Sequence, residues 1–458
     1  MNPHTNARPD TLGKVHFIGI GGVGMSAVAR IMVARGVPVS GSDAKDLPVM
    51  ADLAAAGARI AVGYAAENLG DAQTVVAGSA IREDNPEVAA AKQAGLPVLH
   101  RSEALAATMG DDAVVTVAGT HGKSTTTSMI TVLLRAAGLD PSFAVGANIP
   151  ALGVNAAHGT SGIFVAEADE SDGSFLNYRP RIAVVTNVEP DHLDYYGTAE
   201  AVYESFDRFT ALLPADGLLV ACADDAGALA LAERTRHRGA TRVVLYGTNE
   251  AADVRLLDDG PGQAAVATSA GQWALALQVP GRHNALNAAA AFAVALELGV
   301  EPAAAAAGLA SFAGASRRFE LKGTARGVRV FDDYAHHPTE VRAALAAARS
   351  VAGDHKVHVL FQPHLFSRTR EFAAQFADAL NLADTALVLD IYPAREDPIP
   401  GVTSQLIADH LTGGGRLVAA ADAVATLAAA AGDGDVVLTV GAGDVTAYGP
   451  RIVEALDA

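Results

Sequence analysis

The densest chemistry in the sequence lies in Gly119-Thr120-His121-Gly122-Lys123-Ser124-Thr125-Thr126. The run follows the apolar segment Val114–Ala118 and opens a stretch that reads as a helix to about Ala137. Glycines there let backbone N–H groups close around phosphate oxygens, and a helix N-terminus adds a favourable dipole. Lys123 supplies a point charge, and a following hydroxyl can reach Mg²⁺. Such a loop suits a nucleoside triphosphate. Val117 occupies the place where the longer form of this loop begins with Gly, so the loop is the shorter form opening at Gly119. The bland alternative, a Gly-rich turn with a surface Lys, does not account for the strand before it and the helix after it.

A phosphate loop needs a metal, and Mg²⁺ takes oxygen ligands. Glu167-Ala168-Asp169-Glu170-Ser171-Asp172 follows the apolar run Ile163–Val165, and Glu189-Pro190-Asp191-His192 follows Ile182–Thr186. Both therefore fall at strand C-termini, where open α/β sheets bind ligands. An acidic run alone is ordinarily a solvated loop. Two of them so placed, together with Lys123, favour a functional reading.

Near the start, Gly19-Ile20-Gly21-Gly22-Val23-Gly24 fits the G-x-G-x-x-G fingerprint, and Asp43 ends the next apolar run, where a ribose-binding acid stands. Read literally, the pattern says NAD. Its physics says only that a diphosphate can approach the backbone, which a UDP-sugar satisfies equally well; a tight glycine turn without a ligand is the bland reading.

These loops need sheets to hold them. Val15–Ile20, Val37–Gly41, Val75–Ala77 and Val98–Leu99 alternate with Ala-rich helical stretches to about residue 107. A second series runs from Val114–Ala118 through Ile163–Val165, Ile182–Thr186, Leu218–Ala221 and Val243–Tyr246. Most of these strands lack polar alternation, as expected for parallel sheets covered on both faces. Short alternating runs between Asp253 and Val279 suggest a small antiparallel excursion before a helix over Asn284–Leu298. A third series comprises Val328–Phe331, Val357–Phe361, Ala386–Leu389 and Val436–Val440. The expectation is an α/β protein of three domains. A Rossmann-like N-terminal domain spans 1–107, a central P-loop ATPase domain with a mainly parallel sheet spans 108–315, and a Rossmann-like C-terminal domain spans 316–458.

Composition agrees and excludes. Hydrophobic residues make up 50% of the 458 residues and charged residues 18%, a globular profile. A net charge of −18 argues against nucleic acid held on a broad basic face. With Cys222 the only cysteine, a reducing cytoplasmic setting is expected. Met1–Gly13 is polar and shows no export signal, and Val418–Gly432 is an Ala-rich soluble helix interrupted by Asp422, so no membrane insertion is expected.

The ordered motifs resemble the Mur ligase family of peptidoglycan synthesis. The likeness rests on the two glycine loops, the first extending through Met25-Ser26, on Glu167–Asp172 and on Thr186–His192. It continues through Gly281-Arg282-His283-Asn284-Ala285-Leu286-Asn287, Arg317-Arg318-Phe319, Asp332–Thr339 and Phe361-Gln362-Pro363-His364, and so covers essentially the whole chain. It is nearest to the branch that adds alanine. The resemblance implies ATP and Mg²⁺ as cofactors, UDP-N-acetylmuramate and L-alanine as substrates, an acyl phosphate between them, and a third domain that closes over the site. Gly119, Thr120, His121, Gly122, Lys123, Ser124 and Thr125 are then the phosphate loop, with Lys123 on the β- and γ-phosphates. Ser124, Thr125, Glu167 and His192 are implied near metal. His283, Asn284 and Asn287 are implied on adenosine, Arg318 on the triphosphate, and Asp333 on the nucleotide. Gly21, Gly22, Gly24, Met25, Ser26 and Asp43 are implied substrate contacts in the first domain. Tyr334, His336, His337, His364 and Arg368 are implied on the face meeting nucleotide and amino acid. Some relatives carry a carbamoylated lysine near the second metal; no Lys lies between Lys123 and Lys322, so that device is absent.

Local alternatives stay open. His336 and His337 before Pro338 also read as a helix cap, Arg318 as a surface charge, and a simple cap explains Asn284 but not Asn287 one turn later. Which of His336, His337 or His364 takes a proton from the amine is left unassigned, as is monomer against homodimer. A family branch adding a tripeptide competes for the same substrate. A nicotinamide oxidoreductase leaves Lys123 and the third series without a role, and a non-catalytic nucleotide sensor is the third reading.

Overall fold

The computed structural model describes residues 9–78, 81–239, 241–260, 263–394 and 396–458. The polar N-terminal stretch read from the sequence therefore lies outside the described residues as far as Arg8. Among the described residues, twenty-one strands form three sheets, one for each series of apolar runs.

The first sheet comprises β1 (Val15–Ile18), β2 (Val39–Asp43), β3 (Arg59–Val62), β4 (Thr74–Ala77) and β5 (Val98–His100) in the order β3-β2-β1-β4-β5, with every pairing parallel. The order reverses at β1, which puts the glycine loop at the switch point, the usual ligand crevice of such sheets. Strand β3 was not expected; it is a short edge strand whose two ends, Arg59 and Val62, are exposed. A buried polar network lies beneath. The carboxylate of Glu87, fully buried, accepts from Ser42 Oγ (2.5 Å), Asn68 Nδ2 (2.7 Å) and Ala65 N (3.1 Å), with His16 Nε2 at 3.3 Å. Burial alone would raise its pKa, but these partners hold it below the ordinary value.

The second sheet contains β6 (Ala113–Ala118), β7 (Ser142–Ile149), β8 (Val154–Ala157), β9 (Ile163–Glu167), β10 (Ile182–Val185), β11 (Leu218–Cys222), β12 (Arg242–Gly247), β13 (Val254–Gly260), β14 (Gln263–Thr268) and β15 (Gly271–Leu275). Its order is β15-β14-β13-β12-β11-β10-β6-β9-β7-β8. Strands β6, β9, β10, β11 and β12 pair in parallel, and the β7–β8 pair is an antiparallel hairpin absent from the sequence reading. Central β6 feeds the helix Lys123–Ala136, which is buried over Ser124–Leu134. The excursion expected between Asp253 and Val279 is β13–β15, with β13 joining β12 in parallel.

The third sheet takes β16 (Glu320–Ala325), β17 (Val328–Asp333), β18 (Val357–Phe361), β19 (Thr385–Val388), β20 (Arg416–Leu417) and β21 (Val436–Val440) in the order β16-β17-β21-β18-β19-β20. Only β16–β17 is antiparallel. Expected to begin at Val328, the series starts one strand earlier because β16 carries Lys322 and Gly323 and lacks a continuous apolar run. Apolar β17, β18, β19 and β21 pack between the helices Pro338–Ala352 and Phe366–Leu380 on one face and Ala423–Ala430 and Tyr448–Asp457 on the other. The chain divides into two compact units; the first holds the first sheet and most of the second, and the second holds the third sheet with Leu277–Ala285 and short pieces of β13 and β14. No helix among the described residues is long and apolar enough to cross a membrane.

Candidate active site

In the first unit, the loop between β6 and the helix Lys123–Ala136 closes because Gly119 and Gly122 take φ of 135° and 81°. A Cβ at Gly119 would come within 2.1 Å of Thr186 Oγ1, and one at Gly122 within 2.9 Å of Asn287 Oδ1, so both glycines are required by conformation and by space. The segment after β10 braces the loop. His121 N donates to Asn187 Oδ1 (2.8 Å), Thr186 Oγ1 and Asn187 Nδ2 donate to His121 O (2.6 and 3.1 Å), and Glu189 N donates to Thr120 Oγ1 (2.9 Å). His121 Nε2 lies 3.5 Å from Glu189.

Lys123 Nζ folds back over the loop, donating to Gly119 O (2.7 Å) and Thr120 O (3.1 Å) and pairing with Glu170 Oε2 at 2.9 Å. Burial would lower the Lys123 pKa, but the charges of Glu170, Asp169 and Glu167 raise it above its ordinary value, so the ammonium is kept. Burial pushes Glu170 up to about 7, against the pull of Lys123. Asp169 is also buried, yet Lys123 and the Ser171 amide hold it low. Glu167 ends β9 with both oxygens engaged: Oε1 accepts from Ser124 Oγ (2.9 Å) and Oε2 from Gly146 N (2.7 Å). His192 sits in left-handed backbone (φ 55°), with Nε2 3.6 Å from Asp191 and 3.8 Å from Glu170. Ser124 and Thr125 are buried at the helix start. Hydroxyl and carboxylate oxygens converging beside a phosphate loop are hard donors of the kind Mg²⁺ takes, so the residues present fit that ion. Asn287 lies against Gly122; Asn284 falls in the segment assigned to the second unit, where it donates to Pro280 O (2.7 Å), and burial drives the neighbouring His283 down to about 4.

Also in this unit, Asp43 Oδ2 accepts from Gly21 N at 3.0 Å, so the acid braces the first glycine loop. Gly22 is the N-cap of the helix Val23–Ala34, and Gly24 stands in its first turn. Met25 and Ser26 are buried, with Ser26 Oγ on Val23 O, so their side chains face inward.

In the second unit, Asp333 ends β17 and accepts from Phe319 N and Ala335 N, both at 2.8 Å. Burial raises it to about 6 against the charge of Arg318. Both guanidiniums lie over the Tyr334 ring, Arg317 at 4.7 Å and Arg318 at 5.1 Å, and Arg317 also donates to the carbonyls of Gly441 (2.7 Å), Gly443 (3.1 Å) and Ala442 (3.4 Å). His336 meets Tyr334 edge-on at 5.3 Å and His364 at 5.9 Å, and His364 stacks on Tyr392 at 5.9 Å. Arg368 is buried in the first turn of the helix Phe366–Leu380. For His337 the cap reading is what the structure shows, its ring accepting from Thr339 N in a capping box with Glu340.

Glu170, Asp169 and Asn187 lay in motifs quoted from the sequence but were given no individual role, and Gly146 and Tyr392 were not singled out. Glu170, within the acidic run, carried a signal. Gly146 and Tyr392 did not, because only pairings distant in sequence bring them to Glu167 and His364.

Three family models match in succession: the Mur ligase family catalytic domain over residues 14–112, the Mur ligase middle domain over 117–295, and the Mur ligase glutamate ligase domain over 317–443. The UDP-N-acetylmuramate–L-alanine ligase of Arthrobacter sp. (strain FB24) is 81% identical over 447 residues, covering 98% of this chain and 96% of that protein. The ligase of the same name from Kineococcus radiotolerans is 56% identical, with 97% and 96% covered. Among solved structures, the UDP-N-acetylmuramate–alanine ligase of Thermotoga maritima superimposes with a TM-score of 0.78 at 30% identity, over 96% of this chain and 98% of that one. A murein peptide ligase of Psychrobacter arcticus gives 0.71 at 26% identity, with 97% and 99% covered.

Proposed function

The chain belongs to the Mur ligase family, and from that premise we infer that it joins L-alanine to the carboxylate of UDP-N-acetylmuramate, consuming ATP, in peptidoglycan precursor synthesis. The observation that carries this reading is the closed phosphate loop, with Lys123 buried between loop carbonyls and Glu170 and with Glu167 bonded to Ser124. Relatives from Arthrobacter, Kineococcus and Streptomyces that share half or more of its residues over nearly its whole length bear the alanine ligase name, whereas two solved peptide ligases of the family share 26% and 31%. This favours alanine over a peptide as the incoming amine.

A carboxylate resists attack because its charge is delocalised and its leaving group would be oxide, so amide formation needs activation. In the proposed reaction the muramate carboxylate takes the γ-phosphoryl group of ATP, giving an acyl phosphate and ADP. The amine of alanine then displaces phosphate. Two anions must first be brought together, so catalysis is chiefly positioning and charge neutralisation. Lys123 leaves Glu170 for the phosphate oxygens, and Arg318 adds a second cation. Ser124, Thr125, Glu167 and His192 would hold Mg²⁺, which when bound neutralises phosphate charge. Gly119–Gly122 supply backbone donors, Asn287 with His283 and Asn284 serve the adenosine, and Asp333 serves the nucleotide. Gly21, Gly22, Gly24 and Asp43 form the UDP-sugar loop, while Tyr334, His336, His364 and Arg368 face the amino acid.

The attacking amine must shed a proton. His336 Nδ1 lies 3.0 Å from Tyr334 O and 3.4 Å from Glu340 Oε2, both acceptors, so Nδ1 carries the hydrogen and Nε2 is the basic nitrogen. His337 is committed to its helix cap. We assign the proton to His336, with His364 beside it, and take 1–107, 108–315 and 316–458 as the UDP-sugar, ATP and C-terminal domains of a cytoplasmic enzyme.

The test is phosphate release with each substrate omitted in turn and a panel of amino acids offered. Turnover should require ATP, UDP-N-acetylmuramate and alanine together, and carboxylate ¹⁸O should appear in the liberated phosphate. Turnover without the UDP-sugar, or phosphate lacking the label, would refute the reading.

A further inference from the structure

Resting on the reading that the first sheet binds a UDP-sugar, we propose that Arg101 is the cation that clamps the substrate's diphosphate against the first glycine loop. Arg101 follows β5 as the first residue of the helix Arg101–Met109. Its side chain lies across Gly24, where an added Cβ would fall 2.9 Å from Arg101 Cδ and 3.0 Å from Nη1. Gly24 is in the first turn of the helix Val23–Ala34, which starts at Gly22 with no side-chain cap. The half-buried guanidinium thus stands over N–H groups that a phosphate oxygen would accept from, and no carboxylate pairs with it among the described residues.

Charge balance favours a cation at this place. A diphosphate placed here approaches Asp43, whose carboxylate already occupies Gly21 N. Arg101 is also within electrostatic reach of the acidic run, since its charge opposes those of Asp169, Asp172 and Glu167 at the buried Tyr178 hydroxyl. Arg101 thus offsets negative charge on the side the substrate approaches, in a chain of net charge −18. A planar guanidinium offers two parallel donors to phosphate oxygens, which an ammonium cannot match.

Both walls of this cleft are fixed to the second sheet within the same compact unit. Asn155 Nδ2 on β8 donates to Val23 O at 3.1 Å, and Asn177 Nδ2 donates to Ser102 Oγ, next to Arg101, at 2.8 Å. The clamp therefore holds its place as the reactive end of the substrate is presented to the phosphate loop.

The test uses the full chain with Arg101→Met, which keeps the packing of the stem, and Arg101→Lys. Steady-state kinetics are measured alongside inhibition by UDP and by uridine. Loss of a charge-assisted pair should raise KM for UDP-N-acetylmuramate and the inhibition constant of UDP by about 10- to 100-fold, with Lys recovering part of it. The loss should fall on KM rather than kcat, and uridine inhibition should not change. An unchanged KM for the UDP-sugar, or an equal loss for uridine and UDP, overturns the assignment. A wild-type protein that does not turn over UDP-N-acetylmuramate overturns instead the reading it rests on.

Discussion

Gly146 offers a sharp test of how the second sheet positions Glu167, the carboxylate proposed to hold Mg²⁺. It lies on β7 with its N–H on Glu167 Oε2, and its φ is outside the left-handed region, so alanine is conformationally acceptable there. An added Cβ would nonetheless stand 2.8 Å from Oε2 and 3.1 Å from Oε1, about 0.6 Å inside the 3.4 Å where ordinary contact begins. Something must move. The carboxylate can rotate, and doing so takes it from both Gly146 N and Ser124 Oγ. Each hydrogen bond to a charged group is worth about 1.5–3 kcal/mol, and a displacement of this order at a reacting centre costs about 10²-fold. Gly146→Ala should therefore keep its melting temperature within about 2 °C, since the change lies outside the core. It should also lose about 10²-fold in kcat and need more Mg²⁺ to reach half-maximal rate. Thermal unfolding and phosphate release across a Mg²⁺ series measure these. A variant with wild-type kcat and Mg²⁺ dependence would refute the claim that Glu167 works from this position, and a large fall in melting temperature would show that the fold, not the carboxylate, gives way.

Lys123→Ala should lose at least about 10²-fold in turnover, the scale of one preorganised charge stabiliser, and near-normal phosphate release would contradict its role. Glu87→Gln leaves the donors around it facing a group that supplies a donor of its own, so the first sheet should lose about 1–3 kcal/mol by chemical denaturation. Because the Glu87 pKa is lowered on folding, that stabilisation is present above the ordinary value of 4.5 and fades as pH falls through the lowered one; a pH-independent difference between wild type and variant would refute this. Asp333 has the opposite sign. Burial raises it from 3.8 to about 6, so its contribution is full below pH 3.8 and is lost as pH rises through about 6. Stability of the wild type relative to Asp333→Asn should therefore fall between pH 4 and 7, and a flat difference would overturn the assignment.

Much of this protein is determined by local sequence. A phosphate loop needs only a strand, glycines that admit positive φ, a lysine and a helix, all contiguous, and Val114–Thr126 supplies them in order. Buried parallel strands such as β6, β10, β18 and β21 announce themselves because both faces are covered and the run is apolar throughout. Edge strands do not. β3, β8 and β16 show one face or an edge to solvent, so their residues are mixed and the periodicity is lost. Which polar group does which task was left to tertiary structure. Both Arg317 and Arg318 lie over Tyr334, and nothing local shows that Arg317 also ties down the carbonyls of Gly441–Gly443. Likewise, Gly146 meets Glu167 only through strand pairing, and Arg101 meets Gly24 only because β5 and β1 flank β4. The chain order specifies the parts that work within one turn of helix or one loop; contacts between residues dozens of positions apart depend on sheet order and register, which are properties of the packed whole.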